Sequence, residues 1–140
     1  MKEFACFDVG GTFIKYGTVN EAGEVVFDSK FPTPEDDCGR LIPERIVEKV
    51  NELKKDFNLS GVGISTAGQV DHEKGEIIFA TDNLPKYTGT KLAELVVNGT
   101  GLLCSVENDV NAAALGEMWK GAAKNVKTFV CLTLGTGIGG

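Results

Sequence analysis

Nowhere does the sequence approach the roughly 20 consecutive apolar residues that a membrane helix requires, so no membrane-spanning helix is expected within these 140 residues. Strong positive charge is also missing. With 14 Lys and Arg against 20 Asp and Glu, the formal net charge is −6, and no basic stripe occurs anywhere. A phosphate-backbone binder needs such a stripe, so neither nucleic acid nor a membrane is expected as a partner. Met1-Lys2-Glu3-Phe4 runs straight into a strand pattern without a signal-peptide layout, and the default location is cytoplasmic. Cys6, Cys38, Cys104 and Cys131 form no CxxC pair and no zinc-ligand spacing. Three of them lie in apolar runs, where Cys acts as a small hydrophobe, and reduced thiols are the expectation. His72 is the single histidine, and between Asp71 and Glu73-Lys74 it reads as a solvated turn residue rather than a catalytic one. No internal repeat or low-complexity linker interrupts the chain.

What remains is an ordinary globular composition, 42% apolar and 24% charged over 140 residues, enough for one domain with a buried core. Phe4 to Val9, Phe13 to Val19 and Glu24 to Phe31 read as three short strands, broken at Gly10-Gly11 and at Asn20-Glu21-Ala22-Gly23, hence an antiparallel meander. From Pro43, placed in a first helical turn, Ile46, Val47, Val50, Leu53 and Phe57 recur at helical spacing. A strand over Val62 to Thr66 follows. Residues 67 to 88 read as an insertion, a small hairpin around His72-Glu73-Lys74-Gly75 and then a polar loop. A helix over Thr90 to Val97, a strand over Leu102 to Val106, a helix over Asp109 to Lys120 and a strand over Thr128 to Leu134 complete the order. Three strands followed by alternating helices and strands predict an α/β layered domain, its mixed sheet starting antiparallel and continuing parallel. The last strand runs into a glycine-rich turn at Gly140, which reads as an imposed end rather than a natural terminus.

Three segments carry chemistry. In Asp8-Val9-Gly10-Gly11-Thr12-Phe13-Ile14-Lys15, the two glycines let the backbone approach an anion and present N–H groups to it. Thr12 adds a hydroxyl and Lys15 a positive charge, while Asp8 can hold magnesium through water. A plain hairpin with Gly-Gly at its bend is the rival reading. Leu134-Gly135-Thr136-Gly137-Ile138-Gly139-Gly140 is a second such turn, weak alone. With the first, it suggests a nucleotide clamped between two hairpins. Glu107-Asn108-Asp109 stands at a strand-to-helix junction. Asn and Asp are favoured N-caps, so a simple cap is a strong rival there. Yet a helix N-terminus favours negative charge by about 0.3–1 kcal/mol, and a general base for phosphoryl transfer to an alcohol is an ionised carboxylate.

In this order and at these distances, the three segments resemble the ROK family of bacterial sugar kinases and repressors, over the entire chain. The resemblance implies the actin- and hexokinase-like (ribonuclease H-like) α/β fold. An N-terminal ATPase and sugar-binding lobe would span 1–127, and 128–140 would form the first strand and phosphate-binding turn of a truncated C-terminal lobe. It implies Asp109 as catalytic base, Asn83 and Asn108 as sugar contacts, and the loop with Ser65 and Gly68 as a wall of the sugar cleft. Asp8, Gly10, Gly11, Thr12 and Lys15, with Gly135, Thr136, Gly137 and Gly139, would bind ATP, with Mg2+ held by Asp8 through water. The expected activity is ATP-dependent phosphorylation of a hexose, amino sugar or glucoside by a cytoplasmic homodimer, the 140 residues alone being inactive. The alternative, the sugar-sensing domain of a ROK-type repressor, needs a DNA-binding helix-turn-helix ahead of the first strand. Ala67-Gly68 replaces the family's common Pro-Gly and Tyr87 its Trp, both around the expected sugar pocket. Tyr87-Thr88-Gly89-Thr90 and Trp119-Lys120-Gly121 are closer to the β-glucoside and acyl-mannosamine kinases than to typical glucokinases. The family's zinc motif would lie beyond Gly140, so zinc is left unassigned. Glu117, two turns after Asp109, reads as a salt bridge or helix surface.

Overall fold

The computed structural model describes residues 1–134 and 138–140. Strands β1 (Glu3–Val9), β2 (Phe13–Asn20) and β3 (Val25–Pro32) form the meander, followed by α1 (Cys38–Leu53) and β4 (Leu59–Thr66). A small hairpin, β5 (Gln69–Asp71) and β6 (Glu76–Phe79), precedes α2 (Leu92–Thr100), β7 (Cys104–Asn108) and α3 (Asp109–Lys120). The chain closes with β8 (Thr133–Leu134) and β9 (Ile138–Gly139), an antiparallel pair. The five-stranded sheet has the order β3-β2-β1-β4-β7, antiparallel through β1 and parallel from β1 to β4 to β7.

Alternation along the strands divides the sheet into two unlike faces. Ala5, Phe7 and Val9 of β1 and Val62 and Ile64 of β4 are buried in one cluster with Ile42, Ile46 and Val50 of α1 and Leu92 and Val96 of α2. That is the core, and α1 shows the apolar spacing that builds it. The opposite face carries Asp8, Lys15, Ser65 and Glu107 side by side in one cross-strand row. Helix α3 lies on this second face, with Ala112 and Ala113 next to Asp8 and Ser65.

Two elements depart from expectation. Helix α1 begins at Cys38, not near Pro43, which stands in its second turn. Cys38 N–H donates to the Pro85 carbonyl and its side chain is fully buried, so tertiary contacts fix a helix start that local propensity does not mark. Pro43 leaves the Gly39 carbonyl without the usual helical donor, a local cost that the burial of Ile42 and Cys38 outweighs. The expected strand over Thr128 to Leu134 shrinks to Thr133–Leu134. A strand exists through pairing, and residues 128–132 have no partner strand among the described residues, leaving Val130 and Leu132 exposed. The cysteines are free thiols, and burial pushes Cys6 up, Cys38 up with help from the nearby Asp36 and Asp37, and Cys104 up to about 12, which favours their neutral form. No described helix is long and apolar enough to cross a membrane.

Candidate active site

Parallel strands β1, β4 and β7 end together at one edge of the sheet, and the loops leaving those ends supply the polar groups. At the end of β1 the chain turns through Gly10-Gly11, where Gly10 N–H donates to the Phe13 carbonyl at 3.1 Å. A Cβ on Gly10 would stand 3.0 Å from that same oxygen, which explains the first glycine. Thr33 Oγ1 donates to the Gly10 carbonyl at 2.7 Å and steadies the turn from β3's side.

At the end of β7, Asn108 is the N-cap of α3. Its Oδ1 accepts from the N–H groups of Val110 (3.0 Å) and Asn111 (3.3 Å), while Nδ2 donates to the Gly68 carbonyl at 2.6 Å. One side chain thus starts the helix and ties it to the loop after β4. Gly68 has φ +103°, and a Cβ there would come 2.8 Å from the Phe79 carbonyl, so glycine alone fits the loop at this point. Asp109 is the first residue of α3, its Oδ1 2.9 Å from Val110 N–H.

The loop carrying Asn83 is nailed from beneath. Leu84 and Tyr87 are buried, the Tyr87 hydroxyl lies 2.9 Å from Thr66 Oγ1, and Thr88 Oγ1 accepts from Ala80 N–H at 3.0 Å. Burial pushes the Tyr87 phenol well above its ordinary range, so it stays protonated as a hydrogen-bonding group. Tyr87 therefore supports the cleft from below, where the sequence had suggested a place around the sugar. Asn83 itself stays exposed, its Cβ facing Gly11.

These loops enclose a cleft of about 750 Å³, lined among others by Gly10, Gly11, Gly68, Asn83, Asn108 and Asp109, with Gly139 of the last hairpin. Gly139 packs against Val110, which holds the β8–β9 hairpin near the start of α3. A smaller recess of about 430 Å³ is lined by Asp8, Ser65, Asp109, Ala112, Ala113 and Thr133. Asp109 belongs to both. Ser65 donates to Asp8 Oδ1 at 3.1 Å and lines this recess rather than the larger cleft. Thr12 and Lys15 line neither space. Thr12 offers its carbonyl to Thr33 N–H, and Lys15 stands opposite Asp8 in the β1–β2 register. Gly135, Thr136 and Gly137 lie outside the described residues.

Two contacts were not foreseen. His72 reaches back from the β5–β6 turn, its Nδ1 2.8 Å from the Val106 carbonyl and 3.3 Å from Glu107 Oε2. Glu107 Oε1 in turn accepts from Asn108 N–H at 2.8 Å and from Asn111 Nδ2 at 3.2 Å, bracing the Asn108-Asp109 turn. A lone His in a polar turn gives no sequence signal for a bond 34 residues away. Glu117, at the far end of α3, lies on the exposed helix surface as expected, makes no salt bridge among the described residues, and accepts from Ala122 N–H at 2.7 Å, closing the helix C-terminus.

Sheet order and the loop cluster at its edge define an α/β lobe of the actin- and hexokinase-like class. Residues 4–140 match the sequence profile of the ROK family, and the chain belongs to that family. It is 43% identical over 137 residues to an uncharacterized protein from Clostridium perfringens, covering 98% of this chain and 46% of that one. It is 37% identical over 138 residues to a glucokinase from Halalkalibacterium halodurans, covering 95% and 41%. The crystal structure of a ROK family glucokinase from Streptomyces griseus, in complex with glucose and AMPPNP, superposes with TM-score 0.85 at 35% identity, covering 98% and 43%. The chain thus spans less than half the length of these relatives.

Proposed function

We propose that this chain is the acceptor-side lobe of an ATP-dependent sugar kinase, phosphorylating a hydroxyl of a hexose, amino sugar or glucoside. The observation that carries this reading is the position of Asp109, one carboxylate bordering both the large cleft and the Asp8 recess. A sugar in the larger space and a phosphate chain over the glycine turns would meet at that carboxylate. Asp109 takes the proton of the attacking hydroxyl as the new O–P bond forms. Asn83 and the remaining N–H of Asn108 Nδ2 orient the sugar hydroxyls. The other polar positions of Asn108 are already used by the cap and by Gly68, so most of its work is to hold Asp109 in place.

Gly10, Gly11 and Thr12, with Gly135, Thr136, Gly137 and Gly139, hold the phosphates, and Lys15 lends positive charge. Asp8 is exposed and partly engaged by Ser65, and no cluster of three metal-ligating side chains occurs among the described residues. That donor set fits Mg2+ held through its water shell, since Mg2+ keeps several waters, and does not fit a protein-built cage. When bound, the ion neutralises charge building on the transferred phosphate. The kinase acts in the cytoplasm as a homodimer. Asp109→Asn in the complete kinase tests the assignment. Turnover in a coupled ADP assay falls about 10²–10⁴-fold while sugar binding persists, because only the proton acceptor is lost. Unchanged turnover would remove Asp109 from the mechanism.

A further inference from the structure

Strand β3 is an edge of the five-stranded sheet, and nearly all of its residues are exposed, Val25 at 67%, Val26 at 48% and Phe27 at 36%. An edge strand presents a row of unpaired N–H and C=O groups to any partner with the right register. Which groups are free follows from one bond. Thr33 N–H donates to the Thr12 carbonyl, so alternation along the β2–β3 ladder turns Phe31, Ser29 and Phe27 toward β2. Asp28 and Lys30 then point their backbone groups outward, and Pro32, which has no N–H to offer, ends the outward row.

The side chains of those two residues are left unanswered within the chain. Lys30 stands opposite Lys15, a like charge, and rests over the Phe13 ring at 4.5 Å. Asp28 stands opposite Gly17, which has no side chain, and makes no ion pair among the described residues. Each charge lacks what the other has.

We propose that β3 is a self-pairing edge, and that two copies of this chain join their sheets through antiparallel β3 strands centred on Ser29. In that register Asp28 of one copy faces Lys30 of the other, twice, and their outward backbone groups exchange both hydrogen bonds. Phe27 faces Phe31 across the two-fold axis, twice, on the sheet face where both rings already pack at an angle against Tyr16. Pro32, which has no N–H to offer, is the last residue of β3, so it ends the paired row instead of interrupting it. The bulge, which leaves Val26 without a partner on β2, falls outside the centre spanned by Phe27 and Phe31. Shifting the register by one residue would set outward-facing groups against inward-facing ones, and shifting it by two would break both charge pairs.

Sedimentation equilibrium on the chain, with charge-swapped variants, tests the proposal. The chain dimerises, and Asp28→Lys or Lys30→Asp alone weakens the dimer by about tenfold or more, because two symmetric pairs turn repulsive. The double variant Asp28→Lys/Lys30→Asp recovers the original affinity. Ser29 faces itself across the axis in a non-hydrogen-bonded pair, where Cα atoms stand about 4.5 Å apart. Ser29→Cys therefore gives a covalent dimer under mild oxidation, while the parent chain with its four cysteines does not. A chain that stays monomeric to about 1 mM overturns the proposal. So does a dimer indifferent to the single swaps, a double swap that fails to recover, or a Ser29→Cys variant that does not cross-link.

Discussion

Asn108→Ala removes two structural functions at once, and their sizes can be worked out separately. Losing the cap leaves the N–H groups of Val110 and Asn111 without their Oδ1 acceptor, which costs about 0.5–2 kcal/mol. Losing Nδ2 leaves the Gly68 carbonyl without its donor, a further ~0.5–1.5 kcal/mol. The two contributions together come to about 2 kcal/mol, which for a chain of this length lowers the melting temperature by roughly 6–10 °C. Asn108→Asp separates them. Aspartate caps a helix as well as asparagine does and is favoured by the dipole, but it offers the Gly68 carbonyl no donor. It should fall between the native chain and the Ala variant. Urea unfolding and thermal melts of the three proteins measure both steps. A loss under about 0.5 kcal/mol for Asn108→Ala would show that neither the cap nor the Gly68 tie holds this junction, and an Asp variant as weak as the Ala one would show that the cap contributes nothing to it.

Asn83→Ala should raise the Michaelis constant of the complete kinase for sugar several-fold and leave that for ATP unchanged, since it removes hydrogen bonds to one substrate. Equal increases in both would make the residue structural. Gly68→Ala should destabilise the chain by about 1–3 kcal/mol, from the left-handed φ and the approach to Phe79, and a melt within experimental error of the native one would refute the strain argument. Tyr87 makes stability depend on alkaline pH. Its folded pKa is raised, so its contribution is complete below the unfolded value near 10 and is lost as pH rises through the folded value, by about 1.4 kcal/mol per pH unit. Tyr87→Phe should be less stable at neutral pH, through the lost bond to Thr66, yet flatter above pH 10. An equal alkaline slope in both proteins would dismiss Tyr87 as the source.

Local chemistry marked much of this protein in advance. The breaks at Gly10-Gly11 and Asn20 to Gly23, the apolar spacing of α1 and the Asn108-Asp109 cap each depend on a few neighbouring residues, and each is found where its residues stand. Gly10, Gly11, Asn108 and Asp109 were legible as candidates from a glycine turn and a polar helix start, each with a plain structural rival, and Asn83 only through the family resemblance. What they share was not legible. Only the parallel pairing of β1, β4 and β7 brings residues 8, 65 and 107 into one row, and long-range contacts such as Tyr87 to Thr66 prop the Asn83 loop beside Gly11.

The early start of α1 and the shortened last strand come from the same source. Cys38 begins a helix because Pro85 receives its N–H, and residues 128–132 stay irregular because no described strand pairs with them. Hydrophobic period, turn residues and caps are local quantities, so the sequence by itself determined most of the element order, and its motifs pointed to the family and to the candidate site residues. Long-range pairing is not local. The sharing of Asp109 between cleft and recess, the reach of His72 to Val106 and the bare edge of β3 were decided only when the sheet closed, because each depends on residues tens of positions apart meeting across strands.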